Sequence, residues 1–299
     1  MKKFRTILSL VVAAVAAVIY FAGELGTLLQ RVEEEKEIVA ESIGKLQDKV
    51  GDSVKEINFR HKGDLVQENP VLLKQVPSQI LEYTGHILSY NNETRLPNWV
   101  AYQLTKEEAL GDNPRKDKFA RDKRATGPQA SKEDYRNSGW DRGHMAPAGD
   151  MKWSETAMDE TYYFTNICPQ NHELNNGDWK ELEEKCRDWA VGYGAIEIVC
   201  GPIITKNVHG RLGENDVVIP DKFFKVLLVK KGGEYKGVGF IFDNPPQRKS
   251  KISTQPSPNR PLESYVVSID EVEAATGIDF YTALPDAVEN AVEKQTALF

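Results

Sequence analysis

The alternation of apolar and polar positions takes three forms in turn along the 299-residue chain. After Met1-Lys2-Lys3-Phe4-Arg5, the residues from Ile7 to Ala22 carry no charge and are rich in Val and Ala. Counted from Phe4, this run approaches the roughly 20 residues that span a bilayer. Residues 1–26 read as an uncleaved signal anchor, with a cleaved signal peptide as the alternative. No clear A-x-A site followed by a polar mature start comes after the run, which favours the anchor. Lys2, Lys3 and Arg5 precede the span, while Glu24 and the Glu33-Glu34-Glu35 run follow it. The positive-inside tendency then leaves the body of the protein on the non-cytoplasmic side, or secreted or periplasmic if the segment is cleaved. An organellar inner-membrane anchor would look similar.

The second pattern has a period of 3.5. Leu29, Val32, Val39, Ile43, Leu46, Val50 and Ile57 fall on alternating three- and four-residue steps, with Lys36 and Ser53 at the two polar seam positions. Such a seam over about four heptads is the signature of a coiled coil. Residues 27–64 therefore read as a helical stalk and linker, with a homo-oligomer through residues 29–57. The competing reading is one amphipathic helix, since Gly44 and Gly51 each cost a helix about 1 kcal/mol against Ala.

From about Leu65 the pattern becomes that of short strands. Ile80 to Tyr83 and His86 to Tyr90 are extended segments flanking Thr84-Gly85, and Asn91 to Thr94 is a turn cluster. Trp99 to Leu104, Ile196 to Cys200, Phe223 to Val229 and Gly237 to Phe242 are further strands, with Lys230-Lys231-Gly232-Gly233 as a hairpin loop. Tyr163 to Ile167 is a strand or its approach, which Pro169 should stop. Between these lies one strong helical face, Trp179, Leu182, Cys186 and Trp189, which the spacing assigns to core; Asn175 or Asn176 is the expected N-cap. Pro245 through Pro261 is a polar loop, Val266 to Ile269 closes the sheet, and Ile269 to Gly277 is a helix with a glycine C-cap.

Composition narrows the function classes. Hydrophobic content of 40%, with five Trp, eleven Tyr and eleven Phe, supplies an ample core. A formal net charge of -7 argues against a generally basic nucleic-acid coat but leaves room for a local basic groove. The run from Arg115 to Arg124 is such a local concentration and reads as a phosphate-contacting wall. The three cysteines, Cys168, Cys186 and Cys200, show no CxxC spacing, so a zinc ribbon is unsupported. His172-Glu173 lacks the second His of an HExxH zinc helix, and no G-x-S-x-G, paired glycosidase carboxylates or phosphate-cradling glycine loop occurs.

What remains is Asp141-Arg142-Gly143-His144 and the polar groups in order after it. Imidazole is the usual general base near neutral pH, and arginine presents a fork of donors to phosphate oxygens. With carboxamides at Asn166, Gln170 and Asn175, and with Glu183 on the helix, the mixture suits metal-assisted phosphodiester hydrolysis. Magnesium needs few protein ligands, because it keeps several waters and takes substrate phosphate oxygens.

Asp141-Arg142-Gly143-His144, Asn166-Ile167-Cys168-Pro169-Gln170, Leu174-Asn175-Asn176-Gly177-Asp178-Trp179 and Leu182-Glu183 together resemble the DNA/RNA non-specific endonuclease family. These are the ββα-metal nucleases related to mitochondrial endonuclease G and to secreted bacterial nucleases. The match runs from about Leu81 to Leu284. It implies an α+β fold over residues 65–299, with a mixed, largely antiparallel central sheet, flanking helices and a ββα-metal motif. It further implies His144 as general base, and Asn175 as the single protein ligand to Mg2+, with Mn2+ as an alternative ion. Asn166 would support the histidine and the metal's water shell, and Glu183 would hold a metal-bound water. Arg142 and Arg115 would contact phosphate. The expected substrates are DNA and RNA, cut to 5′-phosphate ends. The alternatives are a membrane-tethered nucleic-acid-binding or scaffold protein with an inactive nuclease fold, and a phosphodiesterase for another substrate.

Overall fold

The apolar run Phe223 to Val229 is covered on both faces, and this explains the architecture. Phe223, Leu227 and Val229 enter one buried cluster, while Phe224, Val226 and Leu228 enter a second. Side chains alternate across a strand, so a run apolar at every position needs a layer on each side of its sheet. Only Lys225 interrupts it.

The computed structural model describes residues 69–206, 209–246 and 260–299. In chain order these form β1 (Val71–Leu72), β2 (Gln79–Glu82), β3 (Ile87–Asn91), β4 (Leu96–Thr105), α1 (Lys106–Ala109), α2 (Lys132–Tyr135) and β5 (Asp141–His144). Then come α3 (Glu155–Glu160), β6 (Ile167–Gln170), α4 (His172–Asn175), α5 (Asp178–Tyr193), β7 (Ala195–Ile203), β8 (Arg211–Leu212) and β9 (Val217–Val218). The last are β10 (Lys222–Lys231), β11 (Glu234–Asp243), β12 (Val266–Val267), α6 (Ile269–Thr276), β13 (Ile278–Asp279) and α7 (Asp286–Val292). Seven strands form one sheet in the order β12-β11-β10-β7-β4-β3-β2, and every pairing in it is antiparallel. Helix α5 lays Trp179, Leu182, Cys186 and Trp189 into the first cluster, as their spacing requires. Helices α6 and α7 cover the other face through Ile269, Val272 and Val292. The result is a mixed α/β architecture with an antiparallel sheet.

The β10–β11 hairpin turns on Gly232 and Gly233, both at positive φ (61° and 87°). Those are the two left-handed positions of a tight hairpin loop. Lys230 and Lys231, expected in that loop, are instead the last paired residues of β10, opposite Tyr235 and Glu234. Gly277 ends α6 in the left-handed conformation, as expected. The three cysteines are buried and free.

Two local expectations are corrected. Pro169 lies inside β6, paired with Arg142, rather than ending it. The β5–β6 sheet has two strands, so β6 has a free edge on which a missing N–H is tolerated. Nor does Asn175 or Asn176 cap α5. Gly177 occupies that position, where a Cβ would lie 2.3 Å from the Glu173 carbonyl oxygen. The capping asparagine is Asn171, whose Oδ1 accepts from the Glu173 and Leu174 N–H groups at 2.8 and 3.1 Å to start α4.

The anchor read over residues 1–26 and the stalk over 27–64 lie outside the described residues, as does most of the Pro245 to Pro261 loop. Among the described residues no helix is long and apolar enough to cross a membrane.

Candidate active site

The Asp141 to His144 string is strand β5, paired in register with β6: Asp141 with Gln170, Arg142 with Pro169, Gly143 with Cys168, His144 with Ile167. Helices α4 and α5 follow directly, so two strands and a helix bring the sequence-remote polar groups to one cleft. That cleft, of about 870 Å³, is lined by Arg115, Arg142, His144, Asn175 and Glu183. Five of the six residues singled out from the sequence are therefore brought together.

The sixth, Asn166, is not. It is fully buried, and its side chain clamps the chain just after His144. Its Oδ1 accepts from the Ala146 N–H at 2.9 Å, and its Nδ2 donates to the carbonyls of Ala146 and Thr161 at 2.9 and 2.8 Å. With the Asn166 carbonyl accepting from the Met145 N–H at 3.0 Å, this residue sets the path of the backbone that carries the imidazole.

His144 is 8% exposed and is packed between rings, 5.0 Å from Tyr162 edge-on and 5.4 Å from Phe119. Its Nε2 is buried with no hydrogen-bond partner. Burial, reinforced by Arg115 and Arg142, pushes its pKa down to about 3 against the smaller opposing pull of Asp117. The ring is therefore neutral at physiological pH and keeps a lone pair for a proton.

Asp141 turns out to be a positioning group. Its Oδ2 accepts from Asn175 Nδ2 at 3.0 Å and meets His172 Nδ1 at 2.8 Å. This sets which way the Asn175 amide faces and leaves Asn175 Oδ1 without a hydrogen bond among the described residues. Glu183, one helical turn further into α5, is pushed up to about 7 by burial, with Lys225 and Arg187 pulling it back. Lys225 explains the one break in β10: it is fully buried beneath α5, with Nζ 4.4 Å from the centre of the Trp179 ring. A second acid, the buried Asp150, holds Arg187 at 2.7 Å and accepts from the Tyr102 hydroxyl at 2.8 Å.

The Arg115 to Arg124 run is mostly not a wall of the cleft. Lys116 pairs with Glu155, and Arg124 pairs with Asp122 while lying 4.1 Å over the Tyr83 ring. Arg115 alone of its cations reaches the cleft, held by Asp117 Oδ1 at 2.9 Å and by the Tyr162 hydroxyl at 2.7 Å. The positive lining comes instead from scattered positions: Lys132, Arg136, Arg142, Lys180 and Arg187 join Arg115. Six Lys and Arg face three carboxylates there, Asp117, Asp141 and Glu183, in a chain whose net charge is -7. No run of sequence marks these positions, because α2, β5 and α5 each contribute one or two.

The described architecture accords with comparisons to known proteins. A family model described as DNA/RNA non-specific endonuclease matches residues 68–287. The chain belongs to this family. It is 38% identical over 218 residues to the mitochondrial nuclease EXOG of Danio rerio, covering 68% of this chain and 60% of that protein. It is 31% identical over 215 residues to the mitochondrial endonuclease G of Homo sapiens, covering 68% of this chain and 69% of that one. The chain thus spans about 60% of the length of the EXOG relative. The crystal structure of an EndoG/EndoGI complex shares the fold, with a TM-score of 0.62 at 24% identity over 74% of this chain and 96% of that one.

Proposed function

We propose that this member of the family is a metal-dependent, sugar-non-specific endonuclease that hydrolyses phosphodiester bonds of DNA and RNA to 5′-phosphate ends. The observation that carries the reading is His144, a neutral, buried imidazole with an unpartnered nitrogen, facing a cleft with a cationic lining. A phosphodiester offers the two things such a site needs: anionic oxygens for the cations and a phosphorus open to attack by water. Arg142 supports the first role, since it has no ion-pair partner among the described residues and lies 4.2 Å over Phe119. His144 takes the proton from the attacking water. Lining made of scattered cations and of few base-reading groups suits contacts to backbone, which carry no sequence information.

The donor set fits a hard divalent cation such as Mg2+. Asn175 Oδ1 is an oxygen donor left open by the Asp141 contact, and Glu183 adds a carboxylate in the same cleft. Asn175 would hold the ion, and Glu183 would accept hydrogen bonds from its hydration shell. When bound, such an ion supplies positive charge to stabilise the developing phosphorane and the leaving oxygen. Within this reading, residues 65–299 are the nuclease unit, behind the anchor and stalk read from the sequence.

The test is cleavage of supercoiled plasmid and of RNA by the purified chain, with Mg2+ or Mn2+ and with EDTA. Both substrates should be cut with metal and spared with EDTA. Intact substrates under conditions in which another nuclease cuts them would overturn the proposal, and tight binding without cleavage would favour the inactive-scaffold alternative.

A further inference from the structure

Phe119, Tyr135 and Trp140 bring large aromatic rings to the lining of the cleft, and two of the three are already engaged. The Arg142 guanidinium lies 4.2 Å over the Phe119 ring, and Tyr162 meets that ring edge-on at 5.1 Å. Tyr135 is buried and stacks on Phe164 at 5.9 Å. Trp140 differs from both. It is half-buried and rests on the core beneath it. Its ring neighbour among the described residues, His209, stands 5.7 Å away at a tilt of 50°, beside the indole rather than stacked on it.

The position of Trp140 in the chain ties it to the reacting groups. Asp141 directs its carboxylate to His172 and Asn175, whereas Arg142 and His144 both meet Phe119. Side chains alternate across a strand, so the face that carries Arg142 and His144, carried back two residues, holds Trp140. At about 3.3 Å per residue, Trp140 stands about 13 Å from His144 along the ribbon. That is too far to touch the phosphorus His144 serves and within reach of a neighbouring nucleotide. The turn that delivers the indole is tied down: the Trp140 N–H donates to Ser138 Oγ at 3.0 Å, and that hydroxyl donates to the Tyr135 carbonyl at 2.9 Å. Lys132 and Arg136, on the same segment, line the cleft with it. Cations that follow the phosphates and an aromatic face that takes a base are the two parts of a single-strand groove.

We propose that Trp140 is a stacking platform for an unpaired nucleobase flanking the scissile phosphate. The inference rests on the nuclease reading above and adds to it a residue that distinguishes substrates. Inside a duplex both faces of a base are covered by its neighbours, so only a base that has left the stack can lie on the indole. Every base has a π-face, so the contact adds affinity without reading sequence, in keeping with a lining of scattered cations. His209 borders the place the base would take.

Binding of a short labelled DNA strand to the full chain in EDTA, followed by fluorescence anisotropy, tests the proposal. Trp140→Ala should weaken binding of the single strand by about 5- to 150-fold, the range for loss of one base–aromatic stack, and Trp140→Phe should keep most of the affinity. The same strand annealed to its complement should lose much less. A strand of equal length with abasic residues throughout should bind the wild type more weakly than the strand with bases, and Trp140→Ala should narrow that ratio by the factor it loses on the single strand. If Trp140→Ala fails to fold, Trp140→Leu, which keeps apolar bulk without a ring, replaces it with the same expectations. Unchanged affinity for the single strand overturns the platform. So does an equal loss on strand, duplex and abasic strand, or a wild type that binds no single strand. Cleavage with Mg2+ judges the nuclease reading separately: a Trp140-dependent preference without cleavage would remove the activity and keep the platform, and cleavage indifferent to Trp140 would do the reverse.

Discussion

Gly143 is the tightest point of the β5–β6 ribbon, and Gly143→Ala is the most informative single change in the site. A Cβ built on Gly143 would lie 2.1 Å from Gln170 Oε1, 2.7 Å from Gln170 Cβ and 2.9 Å from Gln170 Cδ. Side-chain atoms at the end of a flexible chain usually move aside. Gln170 has nowhere to go, because it is fully buried and belongs to the strand that pairs with β5. The ribbon must therefore open, or Gln170 must leave its rotamer. Forcing extra volume into a packed site costs about 1–3 kcal/mol, and contact with a Cβ, which moves only with its backbone, argues for the upper end. At roughly 2–4 °C per kcal/mol for a domain of this size, Tm should fall by about 5–10 °C. Because His144 is the next residue, cleavage should fall as well, with the larger loss in kcat.

The same contacts define a rescue. All three nearest atoms belong to Gln170, so Gln170→Gly clears the space that the new methyl needs. In that background Gly143→Ala should cost little, and the double-mutant cycle should return a coupling of about 1–3 kcal/mol. Chemical or thermal unfolding of the four variants measures it. A Gly143→Ala protein that melts with the wild type, or one as damaging in the Gln170→Gly background as alone, would refute the steric account and with it the view that Gly143 is required for close approach.

The remaining predictions concern chemistry and pH. His144→Ala should lower plasmid cleavage by about 10²–10⁴-fold, the usual worth of a general base, with an unchanged circular dichroism spectrum; a fully active variant would remove His144 from the mechanism. Arg142→Ala should weaken substrate binding similarly for all sequences and reduce the slope of log affinity against log salt by about one, as for a single phosphate contact. Asn166→Ala should destabilise by about 3 kcal/mol or more in denaturant titration, because it orphans the buried N–H and carbonyl of Ala146 and the carbonyl of Thr161. Stability should also rise as pH falls from 8 to 6.5. Glu197, pushed up to about 8 by burial, contributes stability that is complete below about pH 4.5 and is lost as pH climbs through 8. His86 and His144, both pushed down to about 3, act oppositely, but only below about 6.5, where the unfolded chain begins to take their protons. Tm measured across pH 5.5 to 8.5 checks the sign, and Glu197→Gln should flatten the slope between 6.5 and 8.

The parts of the fold legible in the sequence were those in which one period persisted. Trp179, Leu182, Cys186 and Trp189 announced α5 because each falls one helical step from the last, and all four are buried. Phe223 to Val229 announced β10 because a short run, apolar but for Lys225, lies between the turn signals Pro220 and Gly232-Gly233. What was not legible depended on partners distant in sequence. Pro169 reads as a strand breaker unless β6 is known to have a free edge. Asn175 reads as a cap until Gly177 is seen pressed against the Glu173 carbonyl. The cationic lining was misplaced for the same reason: of the cations in the conspicuous run from Arg115 to Arg124, Arg115 alone reaches the cleft. Nothing in the chain marks Lys132, Arg136, Lys180 and Arg187 as neighbours in the cleft.

Lys225 links the sheet to Glu183 of the candidate site. A lysine in the middle of β10 looks like an error in a strand whose every other central position is apolar, and its Nζ has no hydrogen-bond partner. Its surroundings give it a purpose. It lies under α5, against the Trp179 ring; burial alone would lower its pKa, but Cys200 and Cys186, and after them Glu183 and Asp150, hold it up. It in turn is the largest influence holding Glu183 down to about 7, where the carboxylate is available at neutral pH. Replacing Lys225 with Met, of similar length, would keep the core filled and remove that pull. The Glu183 pKa should then rise, and the acidic limb of the pH–rate profile should move to higher pH while the fold is retained. A profile unchanged in Lys225→Met would mean that Glu183 is not the group titrating in catalysis. A loss of folding in Lys225→Met, recovered by Lys225→Arg, would instead assign the buried charge to stability, through Asp150 and Arg187, rather than to the site.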